Sequence, residues 1–232
     1  NRESSEGPVH LVGLGGYFIK KYEVTVERYD ACRADNASSC TAPSTADWDG
    51  LGWGVNQVAN GRKAHPQNGL DWDQARAYCL WVGGGLPSEA QWEYAATGPS
   101  HRRYPWGEAA ADCNHAVYDG DGGNRPWGCN ACVDAGCSGT SPVGSRPAGA
   151  SWSGALDMSG NVWEWCQDWW HADYTGGPAD GTAWESPSGS ARVLRGGSFY
   201  SPASLLRSAK RLSVTPSSRS ANNGVRCSRP AP

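Results

Sequence analysis

The sequence has no apolar run approaching the roughly 18 residues that span a bilayer, so no transmembrane segment is expected. It holds one Met and two Phe, and its aromatic content rests on 13 Trp and nine Tyr. Neither charge dominates. The formal net charge is -3, which leaves no electrostatic footprint for nucleic acid or an anionic membrane surface. Histidine is sparse: His10, His65, His101, His115 and His171 are widely separated, and no Ser-His-Asp or paired-carboxylate constellation can be assembled. Long regular helices are not expected either, because 31 Gly and 15 Pro punctuate the chain.

The 232 residues show no repeat and no composition break, so the expectation is one domain over residues 1–232. Asn1 is not an initiator, which is compatible with a removed leader. Nine cysteines are many for a reducing compartment. Cys32 and Cys40 bracket a polar loop. Cys113, Cys129, Cys132 and Cys137 crowd a Gly-rich insertion over residues 108–141. Zinc is the alternative for those four, but Cys129-x-x-Cys132 is the only half with suitable spacing. Disulfides are favoured, and with them a secreted, periplasmic or cell-surface location. The odd count leaves a thiol unpaired within the chain.

Residues 156–170 organise the sequence. Trp163, Trp165, Trp169 and Trp170 fall within eight positions, alternating in part with polar residues as in a half-buried strand. Gly160-Asn161 suits a tight turn before it. Asp157 and Glu164 flank the turn. Carboxylates beside free carbonyls suit Ca²⁺, while a Trp-rich core hairpin with solvated acids is the alternative. Upstream, Tyr17–Ile19 and residues 22–26 read as strands, and residues 27–32 open a short helix. Asp71 caps a helix over residues 71–82, stopped by Gly83-Gly84-Gly85. Ser88 and Gln91 form a capping box for a second helix over residues 86–96.

In this order the motifs resemble the formylglycine-generating enzyme (sulfatase-modifying factor) family. The carriers are Tyr22-Glu23-Val24-Thr25, Asp71-Trp72-x-x-Ala75-x-x-Tyr78-Cys79, residues 86–96, Tyr104-Pro105-Trp106-Gly107, Gly160-Asn161-Val162-Trp163-Glu164-Trp165, Arg195-Gly196-Gly197-Ser198-Phe199 and Gly224-Val225-Arg226-Cys227. The resemblance implies an α+β fold, a variant of the C-type lectin fold with little regular secondary structure. It implies a Cys79–Cys227 disulfide and a calcium turn on Asp157, Gly160, Val162 and Glu164. It also implies a second calcium site on Asn114, His115 and Asp134. Cys166 is implied to be a packed thiol.

Catalytic members oxidise a substrate cysteine with O₂ and copper(I) held by two thiolates after the Arg-Gly-Gly-Ser strand. Cu(I) needs soft sulfur ligands. Here no cysteine lies between Cys166 and Cys227, and the first thiolate position falls at about Ser201. The expectation is therefore a non-catalytic, calcium-stabilised binding or scaffold domain. Its ligand-display segment lies within residues 192–227. Arg207, Arg211, Arg219 and Arg226 form the framework there. Tyr200, Ser201, Ser204, Leu205, Lys210, Leu212, Ser213, Val214, Ser217, Ser218, Ser220, Asn222 and Asn223 are the display positions, as in lectin-fold variable proteins. The implied partner is a protein or a glycan. The alternatives are a metal-dependent oxidoreductase of the same superfamily and a subunit of a surface assembly.

Overall fold

The structure is a computed structural model that describes residues 3–35, 39–44, 55–57, 59, 61–120 and 139–232. Asp134, Cys129, Cys132 and Cys137 lie outside the described residues. Among the described residues there are three α-helices, α1 (Val26–Asp35), α2 (Trp72–Trp81) and α3 (Glu89–Thr97); α2 and α3 pack on a small sheet and α1 packs on α2. The sheet comprises β2 (Trp163–Trp169), β3 (Arg192–Arg195), β4 (Arg211–Val214) and β5 (Asn223–Gly224), in the order β4-β3-β2-β5. A separate ribbon pairs β1 (Tyr17–Ile19) antiparallel with β6 (Ser228–Pro230).

The helix ends follow the sequence. Asp71 Oδ1 accepts from Gln74 N at 2.8 Å, and Gln74 Oε1 accepts from Asp71 N at 3.1 Å. Ser88 and Gln91 exchange the same pair of bonds at 3.1 and 3.0 Å. Each satisfies donors that the first turn leaves open. Residues 22–26 do not form a strand. Thr25 makes one isolated bridge to Pro66, and Val26 already begins α1. The inward positions Val26, Tyr29 and Cys32 recur every three residues, and that spacing serves a helix.

β2 is the central element and is not half-buried. β3 and β5 flank it, and Trp163, Glu164, Trp165 and Cys166 are all buried. Two indoles tie it to α2 and to the residue ahead of its cap: Trp72 Nε1 donates to Cys166 O at 2.8 Å, and Trp165 Nε1 donates to Leu70 O at 3.0 Å. Burial of these rings with Tyr29, Leu70, Tyr78 and Leu194 forms the main core.

Both expected disulfides are present, Cys32–Cys40 and Cys79–Cys227. Cys113 is also disulfide-bonded. Cys166 is the free thiol among the described residues; burial pushes its pKa well up, which leaves it inert.

His65 gives the fold an acid sensitivity. Burial, then the nearby Arg62 charge, lower its pKa to about 4, while Nδ1 lies 2.9 Å from Thr140 Oγ1. The folded state therefore keeps the ring neutral where the unfolded chain binds a proton. Stability should fall as pH drops from about 6.5 to 4, by roughly 1–2 kcal/mol once solvent screening of this partly exposed ring is allowed for. Urea unfolding of His65→Gln over that range should lack this component. An identical pH slope in the variant would remove His65 as its source.

Candidate functional site

The segment after β3 is built on two glycines. Gly196 and Gly197 have φ of 98° and 79°. A Cβ on Gly197 would lie 2.7 Å from Leu206 Cδ2, so the chain reverses there only without a side chain. A tight turn follows. Ser201 N donates to Ser198 O, and Ser201 Oγ accepts from Ser198 N, both at 3.0 Å. Phe199 is buried and Tyr200 is 53% exposed. Leu206 then anchors the segment in a cluster with Tyr104, Ala111, Ala116 and Tyr118.

Each framework arginine meets a carboxylate from a distant part of the chain. Arg207 is bidentate to Glu6 at 2.8 and 2.6 Å. Arg211 is bidentate to Glu89 at 2.6 and 2.9 Å and lies over Trp170 and Tyr174. Arg219 reaches Asp71 Oδ2 with Nε at 2.8 Å and Nη2 at 2.7 Å. Arg226 holds Glu164 with Nε at 2.9 Å to Oε2 and Nη2 at 2.7 Å to Oε1. Planar forks of this kind fix orientation as well as charge. Arg195, on β3, pairs with Glu93 and donates to the carbonyls of Ala209 and Lys210 at 2.8 and 3.0 Å, tying the segment back to its strand.

The display positions divide by burial. Tyr200, Ser204, Ser213 and Ser217 are exposed. Leu205, Lys210, Leu212, Val214, Ser218, Ser220 and Asn222 are half-buried. Lys210 pairs with Glu3 at 2.5 Å, and Leu205, Leu212 and Val214 pack on the main core. Ser201 and Asn223 are buried and do not belong to an outward face. Ser201 is taken into the Ser198 turn, and Asn223 pairs with Trp163 in the sheet.

The turn before β2 is tighter and more charged than its sequence suggests. Asp157 and Asn161 adopt φ of 60° and 62°. Asp157 Oδ2 accepts from Gly144 N at 2.6 Å. Both oxygens of Glu164 are occupied by Arg226, and Oε2 also accepts from Trp92 Nε1 at 2.6 Å. Glu23 is the residue that sequence reasoning missed. It lies buried in the concave side of the turn, accepting from Asn161 Nδ2 at 2.6 Å and from Val162 N at 3.2 Å. Burial, then the charges of Asp157 and Glu164, push its pKa well above the usual carboxylate range. A cation ligand needs an oxygen turned toward the ion, whereas both oxygens of Glu164 are turned to the Arg226 guanidinium and one also accepts from Trp92. The set Asp157, Gly160, Val162 and Glu164 therefore does not fit calcium with its side chains so placed, and no role for the ion is derived. At the second position, Asn114 and His115 form a turn closed by Asp112, whose Oδ1 accepts from both backbone N–H groups and lies 2.7 Å from His115 Nδ1.

The copper-ligand position also fails its chemistry. Ser201 offers a buried, hydrogen-bonded hydroxyl, and Cys166, on β2, is buried. Neither arrangement presents the paired thiolates that Cu(I) requires.

The domain described as sulfatase-modifying factor enzyme 1-like matches residues 1–231. The chain belongs to that family. It is 34% identical to the formylglycine-generating enzyme of Thermomonospora curvata, over 97% of this chain and 86% of that protein. In structure it is similar to PvdO from Pseudomonas aeruginosa, with TM-score 0.78, 28% identity, and 99% and 87% of the two chains covered. It also shares the fold of Treponema denticola variable protein 1, with TM-score 0.70 and 24% identity over 100% and 90%. The family's variant of the C-type lectin fold is thus the architecture of this chain. No helix among the described residues is long and apolar enough to cross a membrane.

Proposed function

We propose that this member of the family is a non-catalytic binding domain that works outside the cytoplasm. Its ligand face would be the exposed part of residues 199–223. One observation carries the reading. Four arginines clamp this segment and its C-terminal flank to Glu6, Glu89, Asp71 and Glu164, while Ser213 and Ser217 stay exposed between the clamps and Tyr200 and Ser204 stay exposed ahead of them. A rigid backbone with exposed side chains is the arrangement of a recognition surface. The disulfides Cys32–Cys40 and Cys79–Cys227 support the oxidising location.

The exposed positions should then change without cost to the fold. Replacing Tyr200, Ser204, Ser213 and Ser217 together by Asp, Asn, Lys and Gln should leave stability within about 1 kcal/mol of the parent. The same change should alter which ligands the chain retains on panels of purified glycans and proteins. A loss of several kcal/mol, or an unaltered retention pattern, would count against the reading. The second reading, an oxidoreductase, is favoured by the 34% identity to a formylglycine-generating enzyme and is separated from the first by copper binding.

A further inference from the structure

A cavity of about 680 Å³ opens between the solvent face of α2, the loop closed by Cys32–Cys40, and the loop that carries Arg219. It sits at the far end of the display segment. Its volume lies within the ~300–1,000 Å³ of small-molecule sites.

Its walls are fixed. The Trp81 indole is 40% exposed but not free: Nε1 donates to Asp35 Oδ2 at 2.8 Å, and the ring packs tilted on Tyr78 with centroids 5.8 Å apart. An apolar ring held in one orientation yet left open to water forms a platform. Arg219 stands on another wall, its guanidinium oriented by Asp71. Its fork has five donors, and the Asp71 pairing leaves some of them unused. Thr41, on the third wall, is tied to α2 by Gln74 Nε2, which donates to its Oγ1 at 2.9 Å.

The floor carries the complementary groups. Asp73 and Arg76 are exposed, one turn apart on α2, and the Arg76 guanidinium lies over the Trp72 ring, 5.8 Å from its centroid. The cavity thus offers an acceptor-only carboxylate, unused guanidinium donors, a hydroxyl and a flat apolar face. The two arginines are balanced by Asp71 and Asp73, so it has no excess positive charge for a phosphate or carboxylate ligand. A ring with an apolar C–H face and a rim of hydroxyls, each both donor and acceptor, matches all four.

We propose that this cavity is a carbohydrate subsite for a neutral hexose unit, stacked on Trp81 and hydrogen-bonded to Asp73, Arg76 and Arg219. The proposal deepens the binding-domain reading by naming a ligand class. It does not depend on Tyr200.

The test is a microarray of neutral and sialylated glycans probed with the full chain, followed by calorimetric titration of the strongest neutral glycan. Trp81→Ala should weaken binding about ten-fold or more, and Trp81→Phe should retain most of it. Thermal unfolding checks that Trp81→Ala stays folded. Should that variant fail to fold, Asp73→Asn on the exposed helix face serves in its place, with the same loss expected. Several outcomes would overturn the subsite: no neutral glycan bound by the parent, binding of sialylated glycans alone, or equal affinity in folded Trp81→Ala. Loss in Tyr200→Ala with none in Trp81→Ala would move the ligand to the other end of the segment and keep the broader reading.

Discussion

Replacing Arg226 by Met is expected to destabilise the protein by about 4 kcal/mol at neutral pH. Arg226 is fully buried and stands against three buried carboxylates, Glu164, Glu23 and Asp157. Its guanidinium also donates to Lys20 O at 2.8 Å and Leu156 O at 2.6 Å. Methionine fills the volume but leaves the carboxylates without their cation and two carbonyls without a donor. Lysine should rescue poorly, because one ammonium cannot reproduce the planar fork. The sign of the pH dependence follows from the charges. The pKa of Glu23 and that of Asp157 are already raised, chiefly by burial. Without Arg226 they rise further, so the folded variant binds more protons than the unfolded chain over a wider range. The penalty should therefore shrink as pH falls toward 5. Adding Glu164→Gln to Arg226→Met should recover part of the loss. Strict additivity in that double-mutant cycle would show that the two side chains do not interact.

Removing the Cys79–Cys227 disulfide with a pair of alanines is expected to cost a similar amount. The bridge closes a loop with a sequence separation of 148, for which chain entropy gives about 5 kcal/mol. The Cys32–Cys40 bridge has a separation of 8, and the same relation gives only about 2–3 kcal/mol. Urea denaturation of the two double-alanine variants should rank them in that order. Cys79 lies on α2, and Cys227 precedes β6, which holds the β1 ribbon. Loss of the long bridge should therefore also raise amide exchange at β1 and β6. The reverse ranking would mean that native strain or residual unfolded structure outweighs loop closure.

The sequence speaks most clearly where a local rule acts alone. Asp71 with Gln74 and Ser88 with Gln91 mark two helix starts because a capping box needs only four residues. Cys32 and Cys40 pair across a short loop, and the Gly160-Asn161 turn holds both residues at positive φ, 86° and 62°. What stays hidden is long-range. Glu23 lies in a run that reads as a strand, yet its oxygens accept from Asn161 and Val162, which are 138 and 139 positions away. The spacing around Asp157 and Glu164 suggests a cation, but Arg226, 62 positions from Glu164, occupies that role. The four arginine framework positions were legible as a set; their carboxylates were not, because Glu6, Asp71 and Glu89 have nothing in their own neighbourhoods that requires an arginine. Ser201 and Asn223 fall among the display positions because they lie between framework residues of the segment. A tight turn and a sheet edge bury them instead.

The proposed binding role requires that the family scaffold is kept here without its copper chemistry. The most direct test incubates purified full-length chain with one equivalent of Cu(I), O₂, a thiol reductant and a cysteine-containing substrate peptide of formylglycine-generating enzymes, and follows the peptide by mass. The expected result is no copper retained against a Cu(I) chelator and no conversion of the peptide cysteine to formylglycine. One tightly held copper per chain together with steady turnover of the peptide would contradict it, and would mean that the metal is held by ligands other than the missing thiolate pair.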